Sequence, residues 1–339
     1  MSTITIYDVA KFAGVSTATV SKVLSNHPYV AQRTRARVMA AVTELNYVPN
    51  IAARGLAGAK TNIIGMVVSY DSDFLFEDPH LLQILHGINR VATQNDCALL
   101  LSTALSGEDK LSAYQRLLGQ RYCDGAIVEG SLGETGLTLL RERGYPVVAV
   151  GYSDLISCVH SDDRSGAFTM TRHLLELGHT RIGVVAGPDT DKIGTEARLK
   201  GYQDALQSCG VQYDPFLITY GTFRAPSGYA GAAYLMASPR PPTAIFAFND
   251  RMAFGVMDWL REQGVSIPNE VSVAGFDDIP DAVREHPPLT TIRQQSRGQG
   301  ERAVELLLTM MTDEAEATTR REIILPTELV VRGSTALKI

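Results

Sequence analysis

Beyond Thr61 the chain settles into an alternation of short apolar runs and longer stretches with helical spacing. The apolar runs are Ile63–Ser69, Ala98–Ser102, Gly125–Val128 and Val147–Val150, then Ile182–Ala186, Leu217–Tyr220, Ala244–Phe248 and Val271–Ala274. Between them Leu81–Gln94, Leu111–Gln120, Glu196–Ser208, Gly228–Met236 and Met252–Gln263 repeat apolar residues at helical intervals. Strands that are apolar on both faces need cover on both faces, so the pattern predicts parallel sheets flanked by helices. Two similar batches of strands predict two lobes rather than one wide sheet.

The segment before Thr61 has a different grammar. Thr5 followed by Asp8 reads as a helix start, and Val9, Ala10, Phe12 and Ala13 supply an apolar face. Gly14 stops that helix, because it tolerates the left-handed conformation of a sharp turn. Ser16 then caps a second helix from Thr17 to about Leu24, whose Val20, Val23 and Leu24 face back onto Val9 and Ala10. Two short helices joined by a glycine turn form a helix-turn-helix. The outward face of the second carries Thr17, Ala18, Ser21 and Lys22: short side chains that allow close approach to a groove, and one cation that reaches a base edge or phosphate. An ordinary helical hairpin with a solvated face would show the same geometry. A third helix, about Gln32 to Asn46, closes a small core with Val38, Met39, Val42 and Leu45, and Arg33, Arg35 and Arg37 line its outer side.

Charge is divided in the same way. Residues 1–60 hold Lys11, Lys22, Arg33, Arg35, Arg37, Arg54 and Lys60 against Asp8 and Glu44 alone, whereas the whole chain carries a formal −6. A basic head on an acidic body suits a head that meets a polyanion. Other classes lose support. No apolar run approaches the ~18–20 residues that span a bilayer, and Met1 to Lys11 lacks the layout of a signal peptide. The four cysteines are widely spaced, and the seven histidines show no metal-like clustering. There is no G-x-G-x-x-G after a strand, no G-x-x-x-x-G-K-[ST] and no H-E-x-x-H. The expectation is a cytoplasmic, non-enzymatic protein without cofactor or metal.

In parallel sheets, ligands bind beyond the carboxyl ends of the strands. In the second lobe those positions hold Phe223, Asn249-Asp250 and Asp277-Asp278, with Arg198 opening a helix after Gly187-Pro188. An aromatic face, an amide, a carboxylate and an arginine suit a polyol. Turn-forming Asx residues and a structural salt bridge would account for the same residues equally well.

The run Tyr7-Asp8-Val9-Ala10-Lys11-Phe12-Ala13-Gly14-Val15-Ser16, then Thr19-Val20-Ser21-Lys22-Val23-Leu24, Asn46-Tyr47-Val48-Pro49-Asn50 and Leu56-Ala57-Gly58 resembles the LacI/GalR family of bacterial transcription regulators. In the body Leu177-Gly178-His179, Phe248-Asn249-Asp250, Val273-Ala274-Gly275-Phe276-Asp277-Asp278 and Pro288-Leu289-Thr290-Thr291-Ile292 extend the likeness over essentially the whole chain. The resemblance implies a small all-α helix-turn-helix domain at 1–49 and a hinge helix with linker at 50–60. It also implies a two-lobed, periplasmic-binding-protein-like α/β effector domain at 61–339. The lobes are expected at about 61–160 with 291–319, and 161–290 with 320–339, so Ile323–Leu325 and Leu329–Val331 would both belong to the second. It implies DNA contacts from Thr5, Tyr7, Ser16, Thr17, Ala18, Thr19, Ser21, Lys22, Tyr29, Thr34, Tyr47, Asn50 and Arg54, with Leu56 as a wedge that kinks the minor groove. By motif position Arg198, Asn249 and Asp277 match the polar effector contacts, and Phe223 the flanking aromatic.

Three departures stand out. Gly55 lies inside the hinge helix, at a cost of about 1 kcal/mol relative to Ala. Ala31 stands where the family usually has a serine cap. Asp78-Pro79-His80-Leu81 follows a longer loop containing Phe74 and Phe76, which brings His80 and Phe74 forward as candidates beside Glu129 at the end of the third strand. The expected protein is a repressor, a homodimer on a near-palindromic double-stranded operator, controlled by a sugar or sugar derivative, with a nucleobase or nucleoside co-repressor as the alternative. A solute-binding protein on the same scaffold would lack the basic head.

Overall fold

The computed structural model describes residues 4–24, 28–48, 60–104, 110–118, 122–130, 136, 145–189, 194–313 and 319–338. The head has helices α1 (Ile6–Ala13), α2 (Thr17–Leu24) and α3 (Gln32–Glu44). The Asp8 carboxylate accepts from the Thr5 N–H at 2.8 Å and from its hydroxyl at 2.7 Å, which fixes the start of α1. Gly14 ends it with φ 60, and the Ser16 hydroxyl accepts from the Thr19 N–H at 3.2 Å to start α2. α3 begins at Ala31 without a side-chain cap. Val9, Ala10, Ala13, Val20, Val23, Val38 and Ala41 form the core. Phe12 and Met39, expected in it, are 60% and 46% exposed. At 3.6 residues per turn each lies roughly 100° from the centre of its helix's inward face.

The body runs β1 (Ile63–Asp71), α4 (Ser72–Glu77), α5 (Pro79–Gln94), β2 (Ala98–Ala104), α6 (Lys110–Leu118), β3 (Gly125–Glu129), β4 (Val147–Val150) and β5 (Ser157–Ser161). It continues with α7 (Asp163–Glu176), β6 (Ile182–Ala186), α8 (Gly194–Ser208), β7 (Ile218–Tyr220), α9 (Ala225–Met236), β8 (Ala244–Ala247), α10 (Asp250–Glu262) and β9 (Ser272–Asp277). Then come β10 (Thr290–Arg293), α11 (Ser296–Thr312), β11 (Glu322–Leu325) and β12 (Glu328–Val330). Two six-stranded sheets result, ordered β11-β5-β4-β3-β1-β2 and β12-β10-β9-β8-β6-β7. All neighbours are parallel except β12 against β10. Strand order reverses between β1 and β3 and between β6 and β8, and such switch points open crevices at the strand ends.

The chain crosses between sheets after Ser161, after Arg293 and between Leu325 and Glu328. The strand at 323–325, expected in the second lobe, belongs to the first, where Ile323 lies opposite Val159 of β5. Thr290–Arg293 stays in the second sheet beside β9, so the second crossing follows Arg293 rather than lying near Thr291. Two short strands separated only by Pro326 and Thr327 read as one unit in sequence, yet those two residues suffice for the step. Helices α5 and α11 approach closely because Gly87 and Gly300 face each other's backbone: a Cβ on either would strike a carbonyl oxygen, of Arg297 or Ile84. No helix among the described residues is long and apolar enough to cross a membrane.

Candidate DNA-binding face and effector cleft

On α2 the side chains of Ala18, Ser21 and Lys22 are exposed and Thr17 is half-buried. The Ser16 and Thr19 hydroxyls lie 2.9 Å apart at the start of the helix. Tyr7 and Tyr29 are 74% and 91% exposed, Thr5 is exposed and Thr34 is half-buried. Tyr47 packs on the head core. Two of the arginines read as lining the outer side of α3 turn back: Arg35 donates to the Val23 carbonyl at 3.4 Å and Arg37 to the Gly14 carbonyl at 3.3 Å. They tie α3 to the ends of the other helices. Asn50, Arg54, Gly55 and Leu56 lie outside the described residues.

In the body the second-lobe candidates meet at the carboxyl ends of β6, β8 and β9. Arg198, buried on α8, donates through Nε to Asp163 Oδ1 at 2.8 Å, donates again to the Phe248 carbonyl, and lies 3.8 Å above the Phe276 ring. Asn249 caps α10 by accepting from the Met252 N–H at 2.9 Å, and its Nδ2 donates to the Phe223 carbonyl at 2.9 Å. That bond holds Phe223 at φ 60, and the ring packs against the cores of both lobes. Gly187 leaves room for it, since a Cβ there would strike the ring and the Thr195 hydroxyl.

Asp277 ends β9 at φ 118 and accepts from Gln294 Nε2 at 2.6 Å. Burial pushes its carboxyl up to about 8, against the pull of Arg198 and with the charges of Asp78 and Asp163 adding to the rise. His80 shares this neighbourhood. Its Nδ1 lies 2.8 Å from the Ser296 hydroxyl, and burial pushes its pKa down while the Asp78 charge opposes. Asp278, by contrast, is a structural ion-pair partner, 2.5 Å from Arg332 and 2.7 Å from Arg293. Asp250 is similarly spent, accepting from the Thr291 hydroxyl at 2.5 Å and the Ile279 N–H at 2.9 Å.

The first-lobe candidates divide. Phe74 is buried in the first-lobe core with Arg224 5.2 Å and Arg251 5.7 Å from its ring centre. Glu129, half-buried at the end of β3, groups instead with Ser69 and the buried Tyr114, whose phenol is pushed up chiefly by burial. Sequence reasoning missed Asp163 and Gln294, the partners of Arg198 and Asp277. Both follow strands at crossings between the lobes, and the strand-end argument applied to β5 and β10 would have found them. Among the described residues no group of His, Cys, Asp and Glu could hold a metal ion.

A helix-turn-helix head on a body of two parallel sheets, with polar side chains gathered at the strand ends, defines a DNA-binding regulator whose body is built to take a ligand. Comparison with known proteins agrees. The model of "Bacterial regulatory proteins, lacI family" matches residues 5–50, and that of a "Periplasmic binding protein-like domain" matches 171–335. The HTH-type transcriptional repressor PurR of Photobacterium profundum is 34% identical, over 97% of this chain and 98% of its own. A lac repressor dimer bound to operator and the anti-inducer ONPF superposes with a TM-score of 0.84 at 31% identity, covering 99% of this chain and 100% of that one. A complex of the regulator CelR with cellobiose gives 0.76 at 31% identity, over 98% and 99%. The chain belongs to the LacI family of bacterial transcription regulators. It is a sequence-specific DNA-binding transcriptional regulator.

Proposed function

We propose that the chain is a cytoplasmic, non-enzymatic repressor that binds a near-palindromic operator as a homodimer and is controlled by a polyhydroxyl effector, a sugar or sugar derivative, held between the lobes. The observation that carries the effector reading is the convergence of Arg198, Asp277, Asn249 and Phe223 at the switch-point end of one sheet. The protonated Asp277 carboxyl and the Asn249 amide can exchange hydrogen bonds with sugar hydroxyls, the Arg198 guanidinium donates, and the Phe223 ring covers an apolar sugar face. The CelR structure, a complex with cellobiose, supports a ligand of that class.

Thr17, Ala18, Ser21 and Lys22 read the major groove of each half-site, with Thr5, Tyr7, Ser16, Thr19, Tyr29, Thr34 and Tyr47 on the backbone or supporting the face. Asn50, Arg54 and Leu56 serve the hinge at the operator centre. An effector that prefers one arrangement of the lobes then shifts the hinge and, with it, operator affinity. The division into 1–49, 50–60 and 61–339 predicts that a 61–339 fragment keeps ligand binding and loses operator binding.

Thermal unfolding of the full-length chain against free sugars, sugar phosphates, nucleosides and nucleobases tests the effector class. A ligand at about 100 times its Kd stabilises the folded state by roughly 2.7 kcal/mol. Stabilisation by a sugar is the expected result; stabilisation by nucleobases or nucleosides alone would replace the sugar reading with the co-repressor one.

A further inference from the structure

We propose that the short helix α4 is an electrostatic latch, gripped across the cleft mouth by Arg251 of the second lobe, that holds the two lobes together before any effector enters. The contact is built from both sides. Arg251 opens α10, and its two terminal nitrogens lie 3.5 Å from Glu77 and 3.5 Å from Asp78, at the end of α4 and the start of α5. Its guanidinium also faces the Phe74 ring of α4, and Arg224, leading into α9, covers the same ring. Two cations of one lobe thus close over an aromatic and two carboxylates of the other. Of the ion pairs formed between described residues, those of Arg251 are the ones that cross from lobe to lobe. The deeper pair, Arg198 with Asp163, stays within the second lobe. The His80 contact with Ser296 stays within the first. Neither resists opening.

Physical chemistry favours a working contact over a decorative one. Exposed surface pairs contribute little, because two long side chains must be ordered in water. Here Asp78 is already fixed as a helix cap, accepting from the His80 N–H at 2.9 Å. The Asp78 and Arg251 side chains are only 7% and 16% exposed. Phe74 and Leu75 anchor α4 in the first-lobe core, so the carboxylates are held by packing rather than by their own stems. Opening the cleft separates Arg251 from Asp78, Glu77 and the Phe74 ring and gives up their attraction, while salt screens the separated charges. Closure is therefore sensitive to ionic strength, and Arg251 sets how readily the cleft admits a ligand.

The test needs no effector. Full-length protein carries one spin label at a Cys introduced by Tyr122→Cys in the first lobe and one at the exposed native Cys209 in the second, in a Cys97→Ser background. The inter-label distance distribution is recorded for this parent and for Arg251→Gln, Arg251→Lys and Glu77→Gln. The expected result is a dominant short distance in the parent and a roughly five- to tenfold higher open-to-closed ratio in Arg251→Gln. Arg251→Lys should fall between, since it keeps the charge and loses the fork. Raising NaCl from about 50 to about 500 mM should open the parent and leave Arg251→Gln nearly unchanged. Glu77 is more than half exposed, so Glu77→Gln leaves folding intact and should give a smaller shift in the same direction. Identical distributions for parent and Arg251→Gln, equal opening by Gln and Lys, or an undiminished salt response in Arg251→Gln would each overturn the latch.

Discussion

Replacing Asp277 with Asn tests whether a buried, proton-holding carboxyl shapes the cleft. The folded protein keeps this proton up to about pH 8, whereas the ordinary value is 3.8. Between those values the folded state binds more protons than the unfolded chain, so stability falls as pH rises and levels off above about 8. A gap of about four pH units sets a ceiling of roughly 5–6 kcal/mol. Relaxation and water entry, which keep the effective dielectric near 20, bring the expected figure to about 2–3 kcal/mol. Asn matches the protonated acid in shape, and its amide oxygen can still accept from Gln294 Nε2. Asp250, raised by its own burial and by the Asp277 charge, should fall when that charge is removed, which works in the same direction. Urea unfolding at pH 5, 7 and 9 reads the effect as a midpoint shift at constant m. Asp277→Asn should be more stable than the parent by about 1.5 kcal/mol at pH 5, where the unfolded carboxyl is already ionised, and by about 2–3 kcal/mol at pH 9. Curves that keep the same separation from pH 5 to 9 would refute the reasoning.

Asn249→Ala removes both the α10 cap and the donor to Phe223, and should cost about 1–2 kcal/mol in denaturant unfolding. Asn249→Asp should keep the cap and recover most of that stability, yet still weaken ligand binding by freeing the Phe223 backbone. Gly187→Ala forces a methyl against Phe223 and Thr195; we expect an overpacking cost of about 1–3 kcal/mol and loss of the ligand-induced thermal shift. Lys22→Ala should lower operator affinity, and if Lys22 binds phosphate, the slope of log affinity against log salt should shrink by about 1.

The layering of the body was legible because fully apolar strands alternating with helical stretches admit few arrangements, and every expected strand is present. What failed had a local cause. Periodicity identifies an apolar residue but misjudges its face by one position, as with Phe12 and Met39. A two-residue step such as Pro326-Thr327 carries no signal of which sheet comes next. Strand-end logic found Arg198, Phe223, Asn249 and Asp277, which lie together, yet it could not separate Asp277 from its neighbour Asp278, whose carboxylate is consumed by Arg293 and Arg332. Asp163 and Gln294 were missed because β5 and β10, the strands they follow, were not among the expected strands. The segment after β1 was read as a long loop bringing Phe74 and His80 forward as candidates, but its helix and the grip of Arg251 upon it depend on contacts across two lobes.

The head should read a defined operator as the DNA-binding part of a two-fold assembly. The most direct measurement of this is selection of bound duplexes from a random-sequence library by the full-length chain, followed by sequencing. The expected result is enrichment of one near-palindromic site with two half-sites related by a two-fold. Retention of DNA without sequence enrichment, or no retention at all, would contradict it.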